Sequence, residues 1–115
     1  SIRYNATDNP LKQTAFPQNT YPTAKERYAR VADYLNLGGK NNDEKVANLI
    51  KAIDKLKATL DIPASIKDAG VPEAEFLKTL DVLSENAFDD QCTGANPRYP
   101  MISEIKDLYL KAYKG

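Results

Sequence analysis

The chain has 115 residues, no net formal charge and no histidine. That length fits one small domain or part of a larger one, and the balanced charge argues against a nucleic-acid binder, which carries a basic excess on one face. Without histidine, the commonest metal ligand and the usual acid–base group near neutral pH are missing, so neither a tetrahedral zinc site nor a Ser–His or Cys–His nucleophile pair can be built here. The single cysteine, Cys92, allows no internal disulfide and points to a reducing, cytoplasmic setting. No run approaches the roughly 20 apolar residues that span a bilayer, and no signal peptide is visible. The opening Ser1-Ile2-Arg3-Tyr4-Asn5, without an initiating Met, reads as the tail of something longer.

Residues 1–22 show no sustained helical period. Pro10, Pro17 and Pro22 interrupt them, and each holds its predecessor extended. With Tyr4, Leu11, Phe16 and Tyr21 the segment is too aromatic for a free tail, so the expectation is an extended strap lying on another surface.

Residues 23–88 read as helices. The first runs from Ala24 to Leu35. Thr23 and Glu26 have capping-box spacing, Tyr28, Val31, Ala32 and Leu35 make one apolar stripe, and Gly38-Gly39 is the expected stop. The second runs from Asp43 to Leu60, with Val46, Leu49, Ile50, Ile53, Leu56 and Leu60 as its buried face. Its lysines, Lys45, Lys51, Lys55 and Lys57, read as a solvated face and not as a phosphate patch. Asp61-Ile62-Pro63 stops it. Ser65-Ile66-Lys67-Asp68 then forms a short capped turn closed by Gly70. Pro72 opens the third helix, whose stripe is Phe76, Leu77, Leu80, Leu83 and Ala87.

A turn-rich connector covers residues 89–100, and a last helix within 101–115 runs from Ile102 to Tyr113 with Ile105, Leu108, Tyr109 and Ala112 on one face. No alternating strand pattern competes. The fold class is therefore all-α: a small bundle of three main helices plus short helical turns, with an extended N-terminal strap.

Few residues carry chemistry. Asp89 and Asp90 are adjacent, which suits a helix end better than a shared cation. Cys92 sits beside a small Thr-Gly-Ala run. It reads either as a pocket-lining thiol or, somewhat better, as a small buried apolar residue. Asn96-Pro97-Arg98 is the most distinctive feature. Pro97 keeps Asn96 extended, the Asn96 amide can bond nearby backbone, and the Arg98 fork can hold a carboxylate or helix-end carbonyls. The three together read as a structural clamp.

The stretches Ile2-Arg3-Tyr4-Asn5-Ala6, Tyr28-Ala29-Arg30-Val31-Ala32, Leu60-Asp61-Ile62-Pro63 and Asp90-Gln91-Cys92-Thr93-Gly94-Ala95-Asn96-Pro97-Arg98, with Ile102-Ser103-Glu104-Ile105, resemble the C-terminal helical region of the iron-containing alcohol dehydrogenase family. They look most like the alcohol dehydrogenase half of the bifunctional aldehyde–alcohol dehydrogenases. The resemblance spans the whole chain, and the Asp90-to-Arg98 run is its specific part.

The resemblance implies that residues 1–115 are the C-terminal portion of a dehydroquinate synthase-like helical domain. It implies a parent with an NAD-binding α/β domain and a ferrous ion held by one Asp and three His. Those ligands lie upstream, so no metal or cofactor is expected on this segment itself, and the isolated segment is expected to be inactive. The parent would turn acetyl-CoA into ethanol, with acetaldehyde reduction in this half. Its partners would be the remainder of the dehydrogenase chain and further copies in a homo-oligomer or filament, with no nucleic acid and no membrane. By resemblance Cys92 approaches the substrate pocket, and Asn96, Pro97 and Arg98 form the clamp. The alternative reading is an independent helical protein-interaction module without catalysis.

Overall fold

A computed structural model of the chain describes residues 1–8 and 23–115, and the described residues hold helices and turns without a strand. α1 (Ile2–Asn5) is a single turn. The long elements are α2 (Ala24–Tyr34), α3 (Asn42–Thr59), α4 (Glu73–Asp89) and α5 (Ile102–Lys114), and a 3-10 turn, Thr93–Ala95, stands between α4 and α5. The all-α reading holds. The chain divides into two compact units, Ser1–Leu56 and Lys57–Gly115, with the division inside α3. No described helix is long and apolar enough to cross a membrane.

In the first unit, α2 starts as its sequence dictates. Thr23 is extended, its Oγ1 accepts from the Glu26 N–H at 3.3 Å, and Glu26 Oε2 accepts from the Thr23 N–H at 2.7 Å. Two orphan donors of the helix start are thereby satisfied. The end of α2 corrects the expected Gly38-Gly39 stop. Asn36 takes φ 55°, and the Asn36 and Leu37 N–H groups bond the Asp33 and Ala32 carbonyls at 3.0 Å each. A short polar side chain makes this left-handed position tolerable. The glycines shape the loop beyond instead. Gly39 lies at φ +123°, where a Cβ would sit 2.8 Å from the Lys45 nitrogen.

The start of α3 is also capped by side chains, though here the glutamate reaches one residue beyond the cap. Asn41 Oδ1 accepts from the Glu44 N–H at 2.9 Å, and Glu44 Oε2 accepts from the Lys40 N–H at 2.6 Å. Asn48 Nδ2 donates to the Leu37 and Gly38 carbonyls at 3.2 and 3.1 Å, which ties the loop to the helix. Among the described residues of this unit the buried side chains are Ala29, Ala32, Val46 and Leu49, with Asn5.

The expected strap is corrected at its start. Ile2–Asn5 is helical, with the Ala6 N–H on the Ile2 carbonyl at 2.9 Å. No proline precedes Pro10, so nothing prevents this turn. Asn5 Nδ2 donates to the Tyr28 hydroxyl at 3.4 Å. Residues 9–22 of the strap lie outside the described residues.

The second unit is built on α4 against α5. Phe76, Leu80 and Tyr113 are its buried cluster, with Ile66, Tyr109 and Leu110 packed around it. Pro72 is the cap and Glu73 the first helical residue of α4, one position on from the expected start. Ser84 is fully buried, and its hydroxyl donates to the Leu80 carbonyl at 2.7 Å. The Ile66 and Lys67 N–H groups bond the Ala112 and Tyr113 carbonyls at 3.0 and 3.3 Å, so the turn after α3 satisfies orphan acceptors at the end of α5. As expected, Ser65 caps that turn, its Oγ accepting from the Asp68 N–H at 3.0 Å. The end of α3 uses Asp61 at φ 54°, with Ile62 N–H on the Lys57 carbonyl at 2.9 Å.

Several positions expected inside are outside. Val31 on α2 and Leu35 just past its end, Ile53 and Leu56 on α3 and Leu60 just past its end, and Leu77 and Leu83 on α4 are all exposed. Their helical spacing is real. The buried faces are the alanine side of α2, the first half of the α3 stripe and the Phe76–Leu80–Ser84 side of α4.

Candidate functional site

The connector of the second unit is organised by its own polar side chains. Asp90 Oδ1 accepts from the Cys92 N–H at 2.7 Å, which is an Asx-type turn. Thr93 Oγ1 donates to the Ala87 carbonyl near the end of α4. Cys92 is free and exposed. Its reading as a small buried residue is corrected, because the half-buried Thr93 takes the position against α4. Asp89 closes α4 and Asp90 turns the chain; the two acids form no joint site.

Asn96 is extended at φ −64° and ψ 138°, the geometry its following proline imposes. Its Nδ2 donates to the Arg98 carbonyl. Arg98 Nη2 meets Glu104 Oε1 at 2.8 Å. The other Glu104 oxygen accepts from the Met101 N–H at 2.9 Å. One carboxylate at the third position of α5 therefore fastens both the helix start and the connector. Glu104 is the member that sequence reasoning missed. Its three-residue spacing from Met101 has the capping-box interval, but Met is not a capping residue type, so the signal was half absent. Phe88 and Tyr99 close the connector edge-to-face, with centroids 6.0 Å apart.

The first unit holds a separate feature, an open groove of about 390 Å³ whose lining includes Arg3, Ala6, Lys25, Val46, Ile50 and Lys51. Its cationic anchor is Lys25, whose ammonium meets Asp43 at 2.7 Å and Asp8 at 2.8 Å. Those two carboxylates, Asp43 before Asp8, hold the Lys25 ammonium above its ordinary 10.5. Cys92, Asn96, Pro97 and Arg98 do not line this groove. No local sequence signal marks it, because its walls come from segments some forty residues apart.

The family model described as "Fe-containing alcohol dehydrogenase family, C-terminal" matches residues 1–113. Among curated relatives, an aldehyde-alcohol dehydrogenase of Clostridium acetobutylicum is 57% identical over 113 residues, which is 98% of this chain and 13% of that protein. A bifunctional aldehyde-alcohol dehydrogenase of Escherichia coli (strain K12) is 57% identical over 116 residues, covering 99% of this chain and again 13% of that protein. An NADPH-dependent butanol dehydrogenase of Clostridium saccharobutylicum is 39% identical over 93 residues, covering 81% of this chain and 24% of that protein. The chain thus spans about an eighth of the length of the two relatives it matches at 57%.

Proposed function

Because this chain belongs to the Fe-containing alcohol dehydrogenase family, we propose that it forms the C-terminal helical portion of an enzyme that reduces acetaldehyde to ethanol with NADH, within a bifunctional acetyl-CoA-to-ethanol protein. The observation that carries this reading is 57% identity, over nearly the whole chain, to aldehyde-alcohol dehydrogenases from two organisms.

The family description implies iron, and the residues present do not fit it. The chain has no histidine, and among the described residues no three His, Cys, Asp or Glu side chains are grouped to hold a metal ion. The iron, like the nicotinamide cofactor, belongs in this reading to residues outside these 115, and no chemical step is assigned to this chain. Its contribution is support. Catalytic geometry must be held within about half an ångström by surrounding packing. Helices with satisfied ends and a fastened connector provide such a frame. In this reading Asn96, Pro97 and Arg98, with Glu104, clamp the connector, and Cys92 approaches the substrate pocket once the rest of the enzyme is in place. The complete enzyme is cytoplasmic and assembles into homo-oligomers or filaments.

The test compares two proteins by NADH oxidation with acetaldehyde and added ferrous ion. This chain alone is expected to give no turnover. The Escherichia coli relative deleted of its matching 116 residues is expected to lose its aldehyde reduction. Turnover by the isolated chain, or full activity in the deleted relative, overturns the reading.

A further inference from the structure

We propose that the groove of the first unit binds a medium-chain carboxylate, an alkyl chain ending in one carboxylate group, apart from any role of this chain in aldehyde reduction. The body of the ligand follows from the floor. Ala6, Val46, Ala47 and Ile50 are the apolar lining, the last three on one side of α3. At about 390 Å³ the groove lies in the range of small-molecule sites, which are mostly apolar with a few placed polar groups. Among the described residues no aromatic ring and no hydroxyl or amide side chain lines it. A nucleobase would find neither a stacking partner nor a hydrogen-bonding match for its polar edge there. An alkyl chain needs neither.

The head group follows from the charges. Arg3 and Lys51 stand on the lining and are exposed, and among the described residues neither makes an ion pair. The third cation, Lys25, is held between Asp43 and Asp8, and Asp43 is itself on the lining. Three cations thus meet two carboxylates, which leaves one positive charge over. A carboxylate monoanion balances it, whereas a phosphate dianion would bring excess negative charge beside Asp43. The Arg3 guanidinium is a planar fork that can take a carboxylate through two parallel hydrogen bonds. Lys51 adds a donor on a flexible stem. The lysines Lys45, Lys51, Lys55 and Lys57 read from spacing as a solvated face, yet of the four Lys51 alone lines the groove.

The experiment titrates the nitrogen-15-labelled 115-residue chain with sodium octanoate, below its micelle concentration, and follows the amide resonances. Saturable shifts are expected at Arg3, Ala6, Ala47, Ile50 and Lys51, with half-saturation at about 1 mM, ordinary for so small a ligand. Octan-1-ol, the alkyl chain without the charge, and acetate, the charge without the chain, are each expected to bind at least about tenfold more weakly, as for loss of a charge-assisted hydrogen bond or of the apolar contact. Arg3→Gln with Lys51→Gln, both exposed, should weaken octanoate at least about tenfold. Ala47→Glu keeps a good helix former but sets a carboxylate on the floor, and should abolish saturation. Lys78→Gln on α4, in the other unit, should leave binding intact. Shifts that do not saturate, or that fall outside the groove, overturn the proposal. Octanol binding as tightly as octanoate, or octanoate binding unchanged in the Arg3 and Lys51 variant, overturns the assignment of the head group. Inorganic phosphate binding as tightly as octanoate would make the groove a simple anion site and overturn the assignment of the chain.

Discussion

The rings of Phe76 on α4 and Tyr113 on α5 stack with centroids 4.4 Å apart and planes 16° from parallel. The Tyr113 hydroxyl donates to the Val71 carbonyl at 3.0 Å. Stack and hydrogen bond together fix the last helix to the third long segment of the chain. Phe76→Ala is expected to cost about 3–5 kcal/mol, the range for emptying a buried aromatic site. Tyr113→Phe keeps the stack and loses the hydrogen bond, so its loss should be clearly smaller. Urea unfolding of the two variants checks the order; equal losses would contradict it.

The same tyrosine carries a pH signature. Burial, and after it the charge of Glu73, hold the Tyr113 phenol above its ordinary 10.0. The fold favours the neutral phenol, so the unfolded chain releases this proton first. The stability it brings is complete below about pH 10 and is lost as the pH climbs through the raised value. Urea midpoints of the wild type should therefore fall more steeply above that pH than those of Tyr113→Phe. Parallel curves would contradict the assignment.

Two helices end on left-handed residues that are not glycine, Asn36 and Asp61. Asn36→Ala and Asp61→Ala should each destabilise by about 1 kcal/mol, because alanine resists this backbone conformation. Asn36→Gly and Asp61→Gly should recover the loss. Thermal unfolding of the four variants measures this, and an alanine variant as stable as its glycine counterpart would show that the closure contributes nothing.

Arg98 and Glu104 are joined across the connector, each side chain 27% exposed. A double-mutant cycle with Arg98→Ala and Glu104→Ala should give a coupling of about 0.5–1 kcal/mol, as for partly exposed ion pairs. Glu104→Ala alone should cost more than Arg98→Ala alone, because it also uncaps α5 at the Met101 N–H. Additive losses would mean that the pair does not act as a unit.

The helices were legible from residue type and spacing. Thr23 with Glu26, Ser65 before Asp68, and Pro72 all mark starts whose bonds depend only on near neighbours. What faces inward was less legible. Tyr28, Val31, Ala32 and Leu35 satisfy the helical period, yet the buried side of α2 is Ala29 and Ala32, since periodicity shows that a stripe exists and not how much of it the chain covers. Ser84 gives no core signal because a serine reads as polar, although its hydroxyl bonds one turn back and can then be buried. Spacing places Tyr113 only at the end of the last helix, yet it is a core member. In the connector, Asn96 and Arg98 stood out through the intervening proline, whereas the partner Glu104 lay behind a methionine in the cap position. The groove around Lys25 rests on Asp8 and Asp43, distant in sequence, and no local pattern announces such a meeting.

Whether this chain can serve as the C-terminal helical part of an alcohol dehydrogenase is decided by one chimera. The matching 116 residues of the Escherichia coli relative are replaced by these 115, in one continuous polypeptide, and acetaldehyde-dependent NADH oxidation is measured. Activity is expected within about tenfold of the parent, about 1.4 kcal/mol in the barrier. A folded chimera that still binds NADH yet reduces no acetaldehyde would contradict it.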